Sequence, residues 1–309
     1  MSAGRRSGSR SGSGSGSGAA VAAMCAACAA VLLVAAAVAL ALSRGARLGW
    51  APVSQLSAVA ASPLSARSVD RVVALSLPRQ LARRAHLDRQ RPLLRGLPPL
   101  EIIDAVDGKA LCAGIDYSRR GVPPALRPHL TDTGWDHMRE AALHPGRGTI
   151  WHLTPGAVGC ALSHARLWRE AAERGVSLLV LEDDAEVRAP VRPVLDRIHR
   201  DHPDACVRGH ILYLGYGEQG GDRPLPRWAS EADSGDSVRR LAEVQCTHAY
   251  IITPHGARKL LDRCFPLTYQ IDTEIWMVYE DDLSVRPMAV VPPCVYQDTG
   301  FASQIQLER

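Results

Sequence analysis

The sequence predicts an α/β domain built on a mostly parallel central sheet flanked by helices, behind an N-terminal membrane-spanning helix. Three observations carry this reading. From residue 71 onward, short apolar runs rich in Val, Ile and Leu alternate with segments of helical spacing, the rhythm of βαβ units. Residues 177–181 (SLLVL) are apolar at every position after the serine, as in a strand buried on both faces of a parallel sheet. Residues 19–42 form 24 consecutive positions without a charge or a proline.

Taken in order, residues 71–77 (RVVALSL) form the first predicted strand. The arginine-rich stretch 79–91 reads as a helix ended by Pro92. Residues 101–106 (EIIDAV) are the second strand, closed by the turn pair Asp107-Gly108. Residues 109–153 carry Pro123, Pro124, Pro128 and several glycines, and read as a long irregular excursion over one face. Thr154 followed by Pro155 is a helix N-cap with proline at the first position. Val158, Ala161, Leu162, Ala165, Trp168 and Ala172 follow at helical spacing, and Gly175 ends that helix. After the strand 177–181, a helix is predicted over 194–202, a strand over 210–214 (HILYL) and a glycine-rich loop over 215–221. A last strand, 249–253 (AYIIT), leads into a helix over 254–264.

Charge is unevenly placed. Residues 1–50 hold five arginines (Arg5, Arg6, Arg10, Arg44, Arg47) and no acid, which leaves 31 basic against 32 acidic residues in the rest. The globular part has no excess of positive charge for a nucleic-acid backbone, so a nucleic-acid partner is excluded. The Gly/Ser bias stops near residue 18, which excludes a wholly disordered or collagen-like chain. Residues 1–18 are expected to be a disordered cytosolic tail. A helix over 19–42 would reach about 36 Å, enough for roughly 30 Å of hydrocarbon. The first reading is an uncleaved signal-anchor, with arginines before the span favouring a cytosolic N-terminus. A cleaved signal peptide, with Ala39, Ala41 and Ser43 at its end, and an organelle transit peptide stay open. Residues 43–68 read as a stem, and residues 69–309 as the folded domain it carries. Cys25 and Cys28 lie inside the apolar span. The other six cysteines (Cys112, Cys160, Cys206, Cys246, Cys264, Cys294) show no zinc-type spacing and allow fifteen disulfide connectivities.

Glu182, Asp183 and Asp184 directly follow the buried strand, at the carboxyl end of the sheet, where open α/β folds bind ligands. Three clustered carboxylates raise one another's pKa values unless a cation neutralises them. An oxygen-only ligand set suits Mg²⁺ or Mn²⁺, which keep positions open for diphosphate oxygens. The alternative is a solvated turn of acids. Arg79, Arg83 and Arg84 could hold phosphates or form a solvated helix face. Glu280, Asp281 and Asp282 repeat the acidic pattern, but no apolar strand precedes them, and they read as a solvated turn.

Seven segments, in order, resemble glycosyltransferase family 25: VVALSLPRQLARR (72–84), IIDAVDG (102–108), GAVGCALSHARLW (156–168), LLVLEDDAEV (178–187), ILYLG (211–215), THAYIITPHGARKLL (247–261) and PPCVYQ (292–297). That family contains bacterial lipooligosaccharide galactosyltransferases and collagen hydroxylysine galactosyltransferases. The resemblance covers roughly residues 70–304. It implies a GT-A-like fold, a Mn²⁺ or Mg²⁺ ion, a UDP-sugar donor (commonly UDP-galactose) and transfer with inversion. The implied acceptor is a glycan, a glycolipid or a hydroxylysine-containing protein. Many members carry Asn-Leu where this chain has Ser76-Leu77, so a hydroxyl replaces an amide there.

By the resemblance, Ser76, Arg79, Arg83, Asp107, Gly108, Gly159, Ser163 and His164 line the donor site. Glu182, Asp183 and Asp184 hold the metal, with His248 completing its shell as a late histidine does in some GT-A enzymes. Asp272 matches the family's late Asp and is the candidate general base. Glu274 is the reserve, because two residues on would face the same side of a strand. The expected protein is a single-pass type II membrane enzyme of the Golgi or endoplasmic reticulum with a lumenal catalytic domain. A non-catalytic sugar-nucleotide or glycan-binding relative is the alternative. A Mg²⁺-dependent phosphohydrolase would need an Asp nucleophile on the first strand, and residues 71–77 supply none.

Overall fold

A computed structural model describes residues 69–144, 152–201, 210–217, 238–240, 245–281, 287–303 and 305. The tail, the apolar span and the stem lie outside the described residues, as do most of the glycine-rich loop and Asp282. Among the described residues no helix is long and apolar enough to cross a membrane.

The strands are β1 (Arg71–Ser76), β2 (Leu100–Asp104), β3 (Leu178–Glu182), β4 (Ala185–Val187), β5 (Ile211–Gly217), β6 (Val238–Arg240), β7 (Gln245–Ile252), β8 (Pro287–Val290) and β9 (Val295–Gln297). Seven of them form one sheet in the order β2-β1-β3-β7-β5-β8-β6, and β4 pairs with β9 in a small second sheet. Pairing is parallel for β1 with β2, β1 with β3 and β5 with β8. It is antiparallel for β7 with β3 and β5, and for β6 with β8. Thus β1, β2, β3, β5 and β8 run one way while β7 and β6 oppose them. The sheet is mixed, with its inverted strand at the centre. A strand buried on both faces carries the same apolar pattern whichever way it runs, so the sequence did not reveal the inversion.

Alternation along the strands builds two cores. Val73, Leu75, Leu178 and Val180 face one side, and Val72, Ala74, Leu179 and Leu181 the other. The helices are α1 (Leu81–Gln90), α2 (Gly108–Leu111), α3 (Asp132–Leu143), α4 (Pro155–Arg174), α5 (Val191–Asp201), α6 (Pro254–Cys264) and α7 (Ile271–Asp281). Leu87, Leu195 and Ile198, from α1 and α5, cover one face of the sheet. Trp168, Leu260 and Ile275, from α4, α6 and α7, cover the other.

The predicted N-cap is in place: the Thr154 hydroxyl accepts from the Ala157 N–H, and Gly175 ends α4 at φ 67°. Three expectations are corrected. The second strand stops at Asp104, and Asp107 is no simple turn residue; it caps α2, accepting from the Lys109 and Ala110 N–H groups. The excursion 109–153 contains α3, capped by Thr131, with Trp135 and Met138 fully buried. Asp272 and Glu274 lie on α7, a helix, where a strand-type spacing was assumed.

Candidate active site

A cavity of about 340 Å³ opens at the carboxyl end of β1 and β3, within the size range of small-molecule sites. Its wall contains Ser76, Arg79, Arg83, Asp107, Gly108, Ser163, His164, Glu182, Asp183 and Asp184, ten of the residues chosen from sequence. Gly159, His248, Asp272 and Glu274 are not in that wall.

Each acid at the end of β3 takes different partners. Glu182 Oε1 accepts from the Thr247 hydroxyl at 2.5 Å and from His164 Nε2 at 3.1 Å. Behind the imidazole, the Trp168 indole N–H donates to the Tyr250 hydroxyl (2.9 Å), which lies 2.7 Å from His164 Nδ1. This chain of donors places the imidazole proton on Nε2, facing the carboxylate. Burial pushes the Glu182 carboxyl up, but the His164 and Thr247 contacts more than offset it and hold it below the usual value.

Asp183 is claimed on both oxygens: Arg83 donates to Oδ1 and the Ser76 hydroxyl to Oδ2 at 2.8 Å. The Arg83 guanidinium also lies 3.5 Å from Asp184 Oδ2. The cation that three clustered acids require is thus partly supplied by the chain itself. Asp184 Oδ2 accepts from Gln297 at 3.2 Å, while Oδ1 is buried with no hydrogen-bond partner. Burial and the neighbouring Glu182 charge raise the Asp184 carboxyl to about 7. The three acids are thus held differently: Asp183 is engaged with Arg83 and Ser76, Glu182 with Thr247 and His164, and Asp184 Oδ1 with none. His248 is buried outside the cavity wall, and burial depresses its pKa.

The opposite wall is set by the α2 turn. Arg79 pairs with Asp107, and although burial works against it, the guanidinium and the two backbone N–H groups hold that carboxyl below its usual value. Ser163 staples this wall to α4 by accepting from the Val106 N–H (2.8 Å) and donating to the Gly159 carbonyl (2.7 Å). Gly159 has a packing position rather than a lining one. A Cβ there would sit 2.5 Å from the Gly108 nitrogen, and one on Gly108 only 1.7 Å from the Pro155 carbonyl oxygen. The two glycines let helix and turn touch backbone to backbone.

Two features escaped the sequence reading. Lys109, exposed at the rim, adds a third cation. The segment after β9 forms a strap: the Asp298 N–H donates to the Asp184 carbonyl (2.7 Å), Arg83 donates to the Ala302 carbonyl (2.6 Å), and Phe301 stacks under the Arg83 guanidinium at 5.0 Å. A phenylalanine in a chain with only two was the available signal.

Asp272 lies off the cavity, where Oδ2 accepts from the Cys246 N–H (3.1 Å) and Oδ1 from the Thr273 N–H (2.8 Å). Burial raises its pKa, with the Glu182 charge adding to the rise. Glu274 does not share a face with Asp272. On a helix it is rotated about 200° from Asp272, and its Oε1 is occupied by the Thr268 and Tyr269 N–H groups at 2.5 and 2.8 Å.

A sheet-edge cleft lined by acids and by arginines is the kind of site that takes a phosphorylated ligand. Residues 71–215 match the model of glycosyltransferase family 25 (LPS biosynthesis protein). The inactive glycosyltransferase 25 family member 3 of Mus musculus is 32% identical over 64% of this chain and 30% of its own length. Procollagen galactosyltransferase 1 of Danio rerio is 28% identical over 71% of this chain and 36% of its own length. Procollagen galactosyltransferase 2 of Homo sapiens is 26% identical over 56% of this chain and 25% of its own. The chain spans about a third of the length of the first two relatives.

Proposed function

We propose that this chain is a metal-dependent inverting glycosyltransferase that moves a sugar, galactose by preference, from a UDP-sugar to a glycan, glycolipid or hydroxylysine-containing protein of the secretory pathway. The fold assigned to it on this reading is GT-A-like. The observation that carries the proposal is the cavity itself, which gathers Glu182 and Asp184 opposite Arg79, Asp107 and Lys109 at the carboxyl edge of the sheet. The residues fit a divalent cation: Asp184 Oδ1 is a buried acceptor without a partner, and Glu182 supplies a second hard oxygen. When bound, the ion supplies positive charge against the departing diphosphate.

The chain's own groups do the rest. Arg79 and Lys109 hold donor phosphates, and Asp183 keeps Arg83 in place beside them. The acceptor hydroxyl oxygen bonds to the anomeric carbon as the carbon–oxygen bond to UDP breaks, and the acceptor's proton passes to a carboxylate on the opposite face. Asp272 keeps that role from the sequence match, although it lies off the cavity wall and both its oxygens accept from backbone N–H groups. The non-catalytic alternative keeps one specific support, the relatives named as inactive. Nucleotide release from a panel of UDP-sugars with added Mn²⁺ tests the reading. Release from one donor, abolished by chelator, is expected; UDP-sugar binding with no release from any donor would favour the non-catalytic relative.

A further inference from the structure

We infer that Cys160, His164 and Glu182 form a binding site for Zn²⁺, beside the hard-oxygen positions and sharing Glu182 with them. One ligand atom from each of the three lies within 4.8 Å of the others. Four-coordinate zinc, with bonds of roughly 2.0–2.3 Å, spaces its ligands about 3.3–3.8 Å apart. The set therefore has to close by only about 1 Å, within the reach of side-chain rotation.

The donor chemistry separates this site from the neighbouring one. Thiolate and imidazole select zinc, whereas Mg²⁺ and Mn²⁺ prefer oxygen alone. Cys160 and His164 are one turn apart on α4, so both face the end of β3. The imidazole is already held from behind by Tyr250, itself held by Trp168, the kind of support that fixes a ligating histidine. All three residues line the cavity, which leaves the fourth position open to water.

On binding, the Cys160 thiol proton leaves to solvent. The imidazole proton moves from Nε2 to Nδ1, the Tyr250 hydroxyl turns its own hydrogen away and accepts a hydrogen bond from Nδ1–H, and Nε2 turns its lone pair to the metal. The His164–Glu182 hydrogen bond is replaced by two bonds to zinc. Binding stands on this geometry alone; its consequence, inhibition of donor use through capture of Glu182, rests on the transferase reading.

The full chain titrated with Co²⁺ should develop a thiolate charge-transfer band that one equivalent of Zn²⁺ removes. Cys160→Ser should lose the band and weaken Zn²⁺ binding by more than the roughly 10–100-fold that follows loss of a supporting partner. A chain carrying Cys25→Ser, Cys28→Ser, Cys206→Ser and Cys246→Ser should keep both. Without any substitution, Zn²⁺ should slow alkylation of Cys160 as mapped by mass spectrometry. Absence of the band in the wild type, its persistence in Cys160→Ser, or alkylation of Cys160 indifferent to Zn²⁺ would overturn the site. Failure of the transferase reading would instead leave the Co²⁺ band intact in a chain that releases no nucleotide.

Discussion

Asp184 and Asp272 are both buried carboxylates with raised pKa values, yet they are held differently. Asp184 has one oxygen unpartnered, so Asp184→Asn removes a charge that Arg83 compensates only in part, while keeping the shape. Mn²⁺-dependent UDP binding should vanish by calorimetry with Tm unchanged or raised; binding that survives would take Asp184 out of the metal site. Asp272 accepts from the N–H of Cys246, itself at φ 69°, and Asp272→Asn preserves an acceptor there. If its charge is what matters, turnover should fall by about 10²–10⁴-fold with UDP and metal binding retained. Wild-type turnover, or lost UDP binding, would remove it as the base. Glu274 gives the contrast. Burial outweighs its two N–H contacts and raises its carboxyl. Between the unfolded and folded pKa values the folded state holds a proton the unfolded chain has released, so stability falls as pH rises through that window. Glu274→Gln should flatten that loss from about pH 4 upward and leave turnover unchanged, in urea unfolding at several pH values. The acids were legible because they follow an apolar strand directly. Their partners Thr247, Gln297 and Arg83 were not, because between 65 and 113 residues separate each from the acid it meets, with no local signal.

Elements with local punctuation could be read from the chain. Thr154-Pro155 and Thr253-Pro254 mark the starts of α4 and α6, and Gly175 marks the end of α4, because caps are made by residues a few positions away. Two helices were missed despite usable periods. On α3, Trp135, Met138 and Ala141 recur every third residue, but the prolines before it suggested a loop. On α7, Ile271, Ile275, Val278 and Tyr279 form a helical stripe that was overlooked. The contact that positions the α2 wall of the cavity depends on no period at all. Gly108 and Gly159 touch only because neither carries a Cβ. Gly108→Ala forces a carbon into the Pro155 carbonyl, and overpacking of this kind costs about 1–3 kcal/mol. The turn carrying Asp107 and Lys109 should swing away from α4, lowering Tm and weakening UDP binding together. A Tm loss with UDP affinity unchanged would show that the turn does not position the donor.

At the scale of the whole molecule, apolar surface and charge are separated along the sequence. Among the described residues both hydrophobic cores are built from Val69 onward, whereas the five arginines without a balancing acid precede residue 51. A 24-residue uncharged span is long enough to hold a chain in a bilayer, and arginines ahead of it would keep the N-terminus cytosolic. The full-length protein should therefore resist carbonate extraction, and residues 69–309 should be protected from protease outside intact vesicles. Deleting residues 1–42 should release the chain into the soluble fraction while leaving its unfolding transition and its Mn²⁺-dependent UDP binding unchanged. Recovery of a mature chain beginning near residue 44 would establish a cleaved signal peptide instead. Digestion of residues 69–309 in intact vesicles would place the cavity on the cytosolic side, where neither a lumenal acceptor nor the secretory-pathway reading could stand.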